Sequence, residues 1–184
     1  MTAKMWCAMN EVRPITLPCL FLDIDGVLLR RRHLGMFDGF ELAPHCLEFL
    51  EWAIPRFRCR WLSARCRKGF LDGSHRAFRQ AGAPVSDPRW KVLHLVDPAV
   101  WSIDKTEAID PASDFWWIDD NPSDHDRQWL LAHHRQDRLI EISVDRDADA
   151  LHHARSRFLA VHDEWPEWIG GSLTALINAP VRNQ

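Results

Sequence analysis

Short apolar runs of strand length alternate along this chain with stretches of helical periodicity, and that alternation constrains the fold more than any other feature. CLFLDI (19–24) is a continuous apolar run, and APHCLEFLEWAI (43–54) repeats Leu47, Leu50 and Ile54 at helical spacing. CRWLS (59–63) reads as a second strand, and a helical stretch from about Lys68 to Gln80 stops at Gly82 and Pro84. WKVLHLV (90–96) is the third expected strand and DFWWID (114–119) the fourth. Asn121-Pro122 is expected to open a helix through Trp129, Leu130 and His134, with proline in the first turn, and RLIEISV (138–144) to form a fifth strand. Strands separated by helices make βαβ units, whose strands run parallel. The expectation is an α/β fold around a mostly parallel five-stranded sheet.

The length of 184 residues suits one domain, large enough to bury roughly 70% of its unfolded surface. It is expected over 17–184, after an N-terminal arm of 1–16 and with a helical tail from about 146 to 184. Arg56, Arg58 and Arg60 alternate with Phe57, Cys59 and Trp61, which does not suit an interior parallel strand. Either the strand begins near Cys59 or its approach is open to solvent.

Five cysteines, none in a CxxC pair, read as buried thiols of a reducing compartment. The first residues lack the basic region and long apolar stretch of a signal peptide, and no apolar run approaches the roughly 20 residues of a membrane span. A cytoplasmic protein without membrane contact is expected. The ten histidines include the adjacent pairs His133-His134 and His152-His153. Neighbours on a helix point in different directions, so neither pair suits chelation.

The chemistry concentrates where strands end. Asp23 and Asp25 lie two positions apart at the end of strand one, with Gly26 immediately after. Two carboxylates this close repel unless a cation sits between them or one holds a proton. Ser63 ends strand two, Asp119 and Asp120 end strand four, and Lys105 lies fourteen residues before Asp119. In open parallel sheets ligands gather at the carboxyl ends of strands, so these groups are expected to converge.

Together they suit phosphoryl transfer. Mg²⁺ takes oxygen ligands, which Asp23 with Asp119, Asp120 or both can supply. Asp23 can attack phosphorus to form an aspartyl-phosphate, and Asp25 can protonate the leaving oxygen and later activate water. Ser63 and the Lys105 ammonium have transferring charge to stabilise, and Gly26 lets the backbone turn close to the phosphate. Lys91 is the alternative lysine. A calcium loop does not fit DIDG, whose glycine follows Asp23 by three residues rather than five and precedes apolar Val27-Leu28-Leu29. Asp119-Asp120 taken alone would also fit a helix cap before Asn121.

In order, DIDGV, the serine of WLSAR, Lys105 and IDD resemble the four motifs of the haloacid dehalogenase-like (HAD) hydrolase superfamily. The LDIDGVL opening and the W-I-D-D segment are most similar to compact HAD domains associated with RNA-repair proteins. The resemblance covers about 17–145. It implies a Rossmann-like three-layer sandwich fold, Mg²⁺ dependence, Asp23 as nucleophile, Asp25 as acid and base, and metal ligation by the Asp25 backbone carbonyl and Asp119. Family members usually insert a cap domain after the first motif or between the second and third. Neither gap here has room for one, so an open site is expected, suited to a large substrate or to a partner protein acting as lid.

Charge adds a substrate expectation. From Arg56 to Lys91, ten Lys or Arg stand against two Asp, an excess of eight in a chain of net charge -3. Arg30, Arg31 and Arg32 follow Gly26 closely, and Arg65, Arg67 and Lys68 follow Ser63. Six cations around one entrance, with Arg31 and Arg67 as the substrate-binding pair, would favour phosphorylated RNA or DNA ends or nucleotides. The competing reading is a non-catalytic HAD-fold module that binds RNA or a protein.

Overall fold

A computed structural model describes residues 17–34, 37–84 and 86–161. The expected N-terminal arm, Cys7 and the part of the expected helical tail beyond 161 lie outside the described residues. In chain order the elements are β1 (Cys19–Leu22), β2 (Leu29–Leu34), β3 (Phe37–Leu42), α1 (Cys46–Ala53), β4 (Arg58–Trp61), α2 (Asp72–Gln80), β5 (Asp97–Pro98), β6 (Phe115–Asp119), α3 (Asp124–Ala132), β7 (Leu139–Glu141) and α4 (Ala150–Val161). Short 3₁₀ segments cover Ala64–Gly69, Pro88–Leu95, Lys105–Ala108 and Gln136–Arg138.

The main sheet has the order β5-β4-β1-β6-β7, and each of its pairings is parallel. All four residues of β1 and all five of β6 are buried, because helices cover both faces of the sheet. Leu20, Leu22, Trp116 and Ile118 pack toward α1, α2 and α4. Cys19, Phe21, Phe115 and Trp117 pack on the other side with Leu130 of α3. The chain is thus an α/β protein with a five-stranded parallel sheet flanked by helices, compatible with a Rossmann-like layering. The chain leaves β1 first toward β4 and β5, then returns to its other side for β6 and β7. The strand order therefore reverses at β1, next to β6, where such sheets form a crevice.

Several elements differ from the sequence reading. The expected strand 90–96 is a 3₁₀ segment, Pro88–Leu95, and the real third strand is only Asp97–Pro98. Asp87 accepts the Arg89 amide at 2.9 Å and Pro88 stands in the first turn, so the apolar residues Trp90, Val92 and Leu93 are buried from a helical turn. A short apolar run looks alike in either conformation. The two-residue β5 also resolves the arginine alternation. It pairs only with Arg60 and Trp61, so β4 has a neighbour on one side alone at Arg58, which is exposed. Arg60 donates to the Pro98 carbonyl at 3.1 Å.

Helix α3 starts at Asp124, after Ser123 rather than at Asn121-Pro122. The Ser123 hydroxyl and the Asp126 carboxylate satisfy each other's backbone amides in a capping box. The segment after Gly26, for which no strands are expected from the sequence, is the antiparallel hairpin β2–β3. No separate cap domain stands between the described elements. The four described cysteines are buried and free. Among the described residues no helix is long and apolar enough to cross a membrane.

Candidate functional site

The end of β1 sets the geometry. The Asp23 amide donates to the Ile118 carbonyl at 3.0 Å, extending the ladder by one residue, and the chain then folds back. The amides of Leu28 and Leu29 both donate to the Ile24 carbonyl at 2.9 Å, and Gly26 donates to Leu29 at 2.7 Å. Gly26 takes a φ of 75°, and a Cβ there would lie 2.1 Å from Asp120 Oδ2. Only glycine allows both the backbone angle and this close approach of Asp120.

Ser63, 1% exposed, follows β4, and its hydroxyl caps the 3₁₀ turn Ala64–Gly69. Lys105 opens another 3₁₀ turn, after β5. The Glu107 carboxylate accepts the amides of Ser102, Ile103 and Asp104 at 2.8, 3.1 and 3.1 Å. That turn fixes the backbone from which the lysine side chain extends.

Lys105 Nζ bridges Asp23 Oδ2 at 2.5 Å and Asp119 Oδ2 at 2.6 Å. Asp119, 1% exposed, also accepts the Trp117 indole N–H at 3.0 Å and the Asn121 amide at 3.0 Å. Asp23 Oδ1 takes the Ile24 amide at 2.6 Å. Asp25, beside them, accepts Arg65 Nε at 2.7 and 2.9 Å, and the Arg65 guanidinium lies 4.8 Å from the Phe40 ring of the hairpin.

Burial and mutual repulsion shift these groups. Burial, with the Asp23 charge, pushes the Asp119 carboxyl up against the opposing pull of Lys105. Burial, Asp23 and Asp119 together raise Asp120 to about 6. Burial alone would lower Lys105, but Asp23 and Asp119 outweigh it and hold the ammonium above the usual lysine range. Burial lifts Asp25 despite Arg65.

Asp23, Asp119 and Asp120 each bring a carboxylate oxygen within 4.8 Å of the others, and theirs is the one metal-capable group among the described residues. Against three carboxylates there is a single ammonium, so the cluster carries two uncompensated negative charges when ionised. Hard oxygen donors with that excess suit a divalent cation such as Mg²⁺. Each carboxylate has about four lone-pair directions, so Asp23 and Asp119 keep acceptor capacity beside Lys105. Asp120 forms no ion pair with any described residue. The donor set fits the metal.

Asp23, Asp25, Ser63, Lys105, Asp119 and Asp120 thus meet around one pocket of about 190 Å³, with Arg31 on its rim. Gly26 backs Asp120. Lys91 lies on the 3₁₀ segment Pro88–Leu95 and lines a different cavity, so the lysine at the carboxylates is Lys105. Arg67 does not line the pocket: it is exposed, and its guanidinium covers the Trp101 ring at 4.6 Å.

The expected ring of six cations is likewise much reduced. Arg30 and Arg32 both hold Glu41, the latter at 3.1 Å, because the hairpin register sets Arg30 opposite Glu41. The Arg31 amide donates to Asp145 at 2.7 Å.

The sequence reading did not assign Arg65 to Asp25 or the Trp117 indole to Asp119. The second was accessible, since residues two apart on a strand share a face. Comparison with protein-family models, with curated proteins and with solved structures returned no match to this chain.

Proposed function

We propose that this protein is a Mg²⁺-dependent phosphatase of the HAD type, acting on phosphate monoesters through an aspartyl-phosphate. One observation carries the reading: Lys105 bridges Asp23 and Asp119 at the carboxyl ends of adjacent parallel strands, with Asp120, Ser63 and Asp25 lining the same small pocket. The order of the four motif-like segments agrees with it. A non-catalytic module gains nothing from gathering three carboxylates beside one half-buried lysine that pairs with two of them, since each costs desolvation.

In this mechanism an Asp23 oxygen attacks phosphorus, the bond from phosphorus to the leaving oxygen breaks, and Asp25 gives that oxygen its proton. Water then attacks the phosphorus of the aspartyl-phosphate and yields a proton to Asp25, releasing phosphate and restoring the Asp23 carboxylate. The upward push on Asp25 favours its proton-carrying form, and Arg65 aims the group. Lys105 and the Ser63 hydroxyl hold non-reacting phosphoryl oxygens as charge develops on them. A divalent cation bound by Asp23, Asp119, Asp120 and the Asp25 carbonyl would neutralise the transferring group. The pocket of about 190 Å³ is below the roughly 300–1,000 Å³ of whole-ligand sites, so the rest of the substrate lies outside it.

The test is turnover of an aryl phosphate by the purified chain with Mg²⁺, its loss on adding EDTA, and its loss in Asp23→Asn. The substitution should cost at least about 10³-fold, the scale of losing a nucleophile, with an unchanged circular dichroism spectrum. Activity retained in folded Asp23→Asn removes the covalent route. No turnover by the wild type across aryl, sugar and nucleotide phosphates removes the enzyme reading.

A further inference from the structure

A cavity larger than the carboxylate pocket lies away from it. A cleft of about 820 Å³ opens between α2 and the 3₁₀ segment Pro88–Leu95, and it shares no lining residue with the Asp23 pocket. Helix α2 buries Ser74, Ala77 and Phe78 and turns its opposite face, with Arg76 and Arg79, to the cleft. Lys91 and His94 reach it from the 3₁₀ wall. Gly73 sets how closely the helix start sits on the preceding turn, since a Cβ there would meet the Arg65 carbonyl at 1.7 Å. The floor includes the Phe78 and Trp90 rings, 6.1 Å apart. His75, on the helix wall, stands 4.5 Å from His94.

Several arginines elsewhere on the protein are committed to carboxylates. Arg30, Arg65, Arg89, Arg127 and Arg138 each hold a carboxylate. Arg76, Arg79 and Lys91 form no ion pair with any described residue. The two acidic side chains at the cleft do not reach them: Asp87 caps the 3₁₀ segment through the Arg89 amide, and Asp72 belongs to the first turn of α2. Burial first, then the neighbouring His75 and Lys91, lowers His94.

We propose that this cleft binds an anion carrying several phosphates in a row. Arg76 and Arg79 are neighbours on a helix face, roughly 5–6 Å apart at Cβ, and Lys91 faces them from the other wall. Charges spread around a cavity match a series of phosphates better than a single phosphate, which needs convergent donors. The volume lies within the range of ligand pockets. Two sources present this chemistry, a single-stranded nucleic-acid backbone and a free nucleoside triphosphate. Binding here stands whether or not the carboxylate pocket is a phosphatase.

The experiment is fluorescence anisotropy of the full chain with a labelled oligouridylate that has no terminal phosphate, so that the Asp23 pocket has nothing to hydrolyse. Unlabelled oligouridylate, a nucleoside triphosphate and orthophosphate serve as competitors. Three phosphate contacts on a single strand predict a log–log salt slope of about -2, falling to about -0.7 in Arg76→Glu/Arg79→Glu. That variant should also lose at least about 10-fold in affinity, Lys91→Glu on the other wall should lose affinity too, and Arg155→Glu, outside the cleft, should match wild type.

Competition by the triphosphate at lower concentration than by the oligonucleotide, abolished in the double variant, identifies a nucleotide site. The reverse order identifies a strand site. If neither probe binds, if orthophosphate competes as well as either, or if the double variant binds like Arg155→Glu, the proposal fails. Should the double variant misfold, Lys91→Glu alone decides it.

Discussion

Lys105→Met tests the electrostatic core of the site without assuming any activity. Methionine keeps the aliphatic bulk and removes the charge that compensates Asp23, 9% exposed, and Asp119, 1% exposed. At 2.5 and 2.6 Å, each contact is worth about 6 kcal/mol gross at an effective dielectric near 20. Desolvation of all three groups offsets most of that, and removing one partner of such a buried set costs about 3–5 kcal/mol. In a chain of this size that is a fall of roughly 6–20 °C in Tm.

The loss should depend on pH. Without Lys105, the main opposition to the push of burial and Asp23 on the Asp119 carboxyl is gone and the Asn121 amide remains, so the folded variant binds protons that the unfolded chain releases. Its stability therefore falls as pH rises, and the deficit against wild type should be near full at about pH 7.5 and much smaller near pH 4.5. Urea titrations followed by tryptophan fluorescence, with EDTA present, measure both. A deficit below about 1 kcal/mol at the higher pH would refute the argument. An equal deficit at the two pH values would show that Lys105 acts through packing.

Other outcomes follow from the same geometry. Asp25→Asn should still give a burst of product from an aryl phosphate with an acidic leaving group but none from an alkyl phosphate, by rapid-quench analysis; equal losses on both would assign Asp25 to metal organisation. Gly26→Ala should displace Asp120, weaken the Mg²⁺-induced rise in Tm, and lower metal-free stability by about 1–3 kcal/mol for its positive φ. Because Asp120 is pushed up to about 6, the metal-free fold loses stability as pH climbs from the ordinary aspartate range through 6. The Mg²⁺-induced Tm rise should therefore be larger at neutral pH than below 5, since metal binding must displace that proton; a rise independent of pH would exclude Asp120 as a ligand.

Legibility in the sequence tracked burial. The residues 19–24 and 114–119 read correctly as core strands because both faces are apolar, and the acidic residues that end them stood out against that background. The hairpin was missed for the opposite reason. LRRRHL and FDGFEL lack the apolar alternation that marks a strand, and their arginines are held by Glu41 and Asp145 rather than by the core. β5 was illegible because an edge strand tolerates proline and Asp97–Pro98 carries almost no pattern. The site was readable as a set because parallel strands deliver their carboxyl ends to one edge. The Arg65–Asp25 contact depends instead on the irregular turn Ala64–Gly69, where Arg67 and Lys68 leave helical angles, and no periodicity encodes that.

The basic segment from Arg56 to Lys91 shows why net charge along a sequence overstates what a partner can feel. Arg56 is bound by the Trp52 carbonyl at 2.9 Å and Arg60 by that of Pro98. Arg65 is committed to Asp25 and Arg89 to Glu51, and Arg67 lies over Trp101. Lys68 is exposed on the 3₁₀ turn after Ser63. Arg76, Arg79 and Lys91, which gather on one cleft, keep their charge unpaired among the described residues. At the mouth of the carboxylate pocket Arg30 and Arg32 share Glu41 and Arg65 holds Asp25, whereas the three cations of the α2 cleft have no ion-pair partner among the described residues. For a phosphate monoester at Asp23, the charge that matters is Lys105 together with whatever metal the three carboxylates hold. The two proposed phosphate sites thus rest on different residues and should respond to different substitutions.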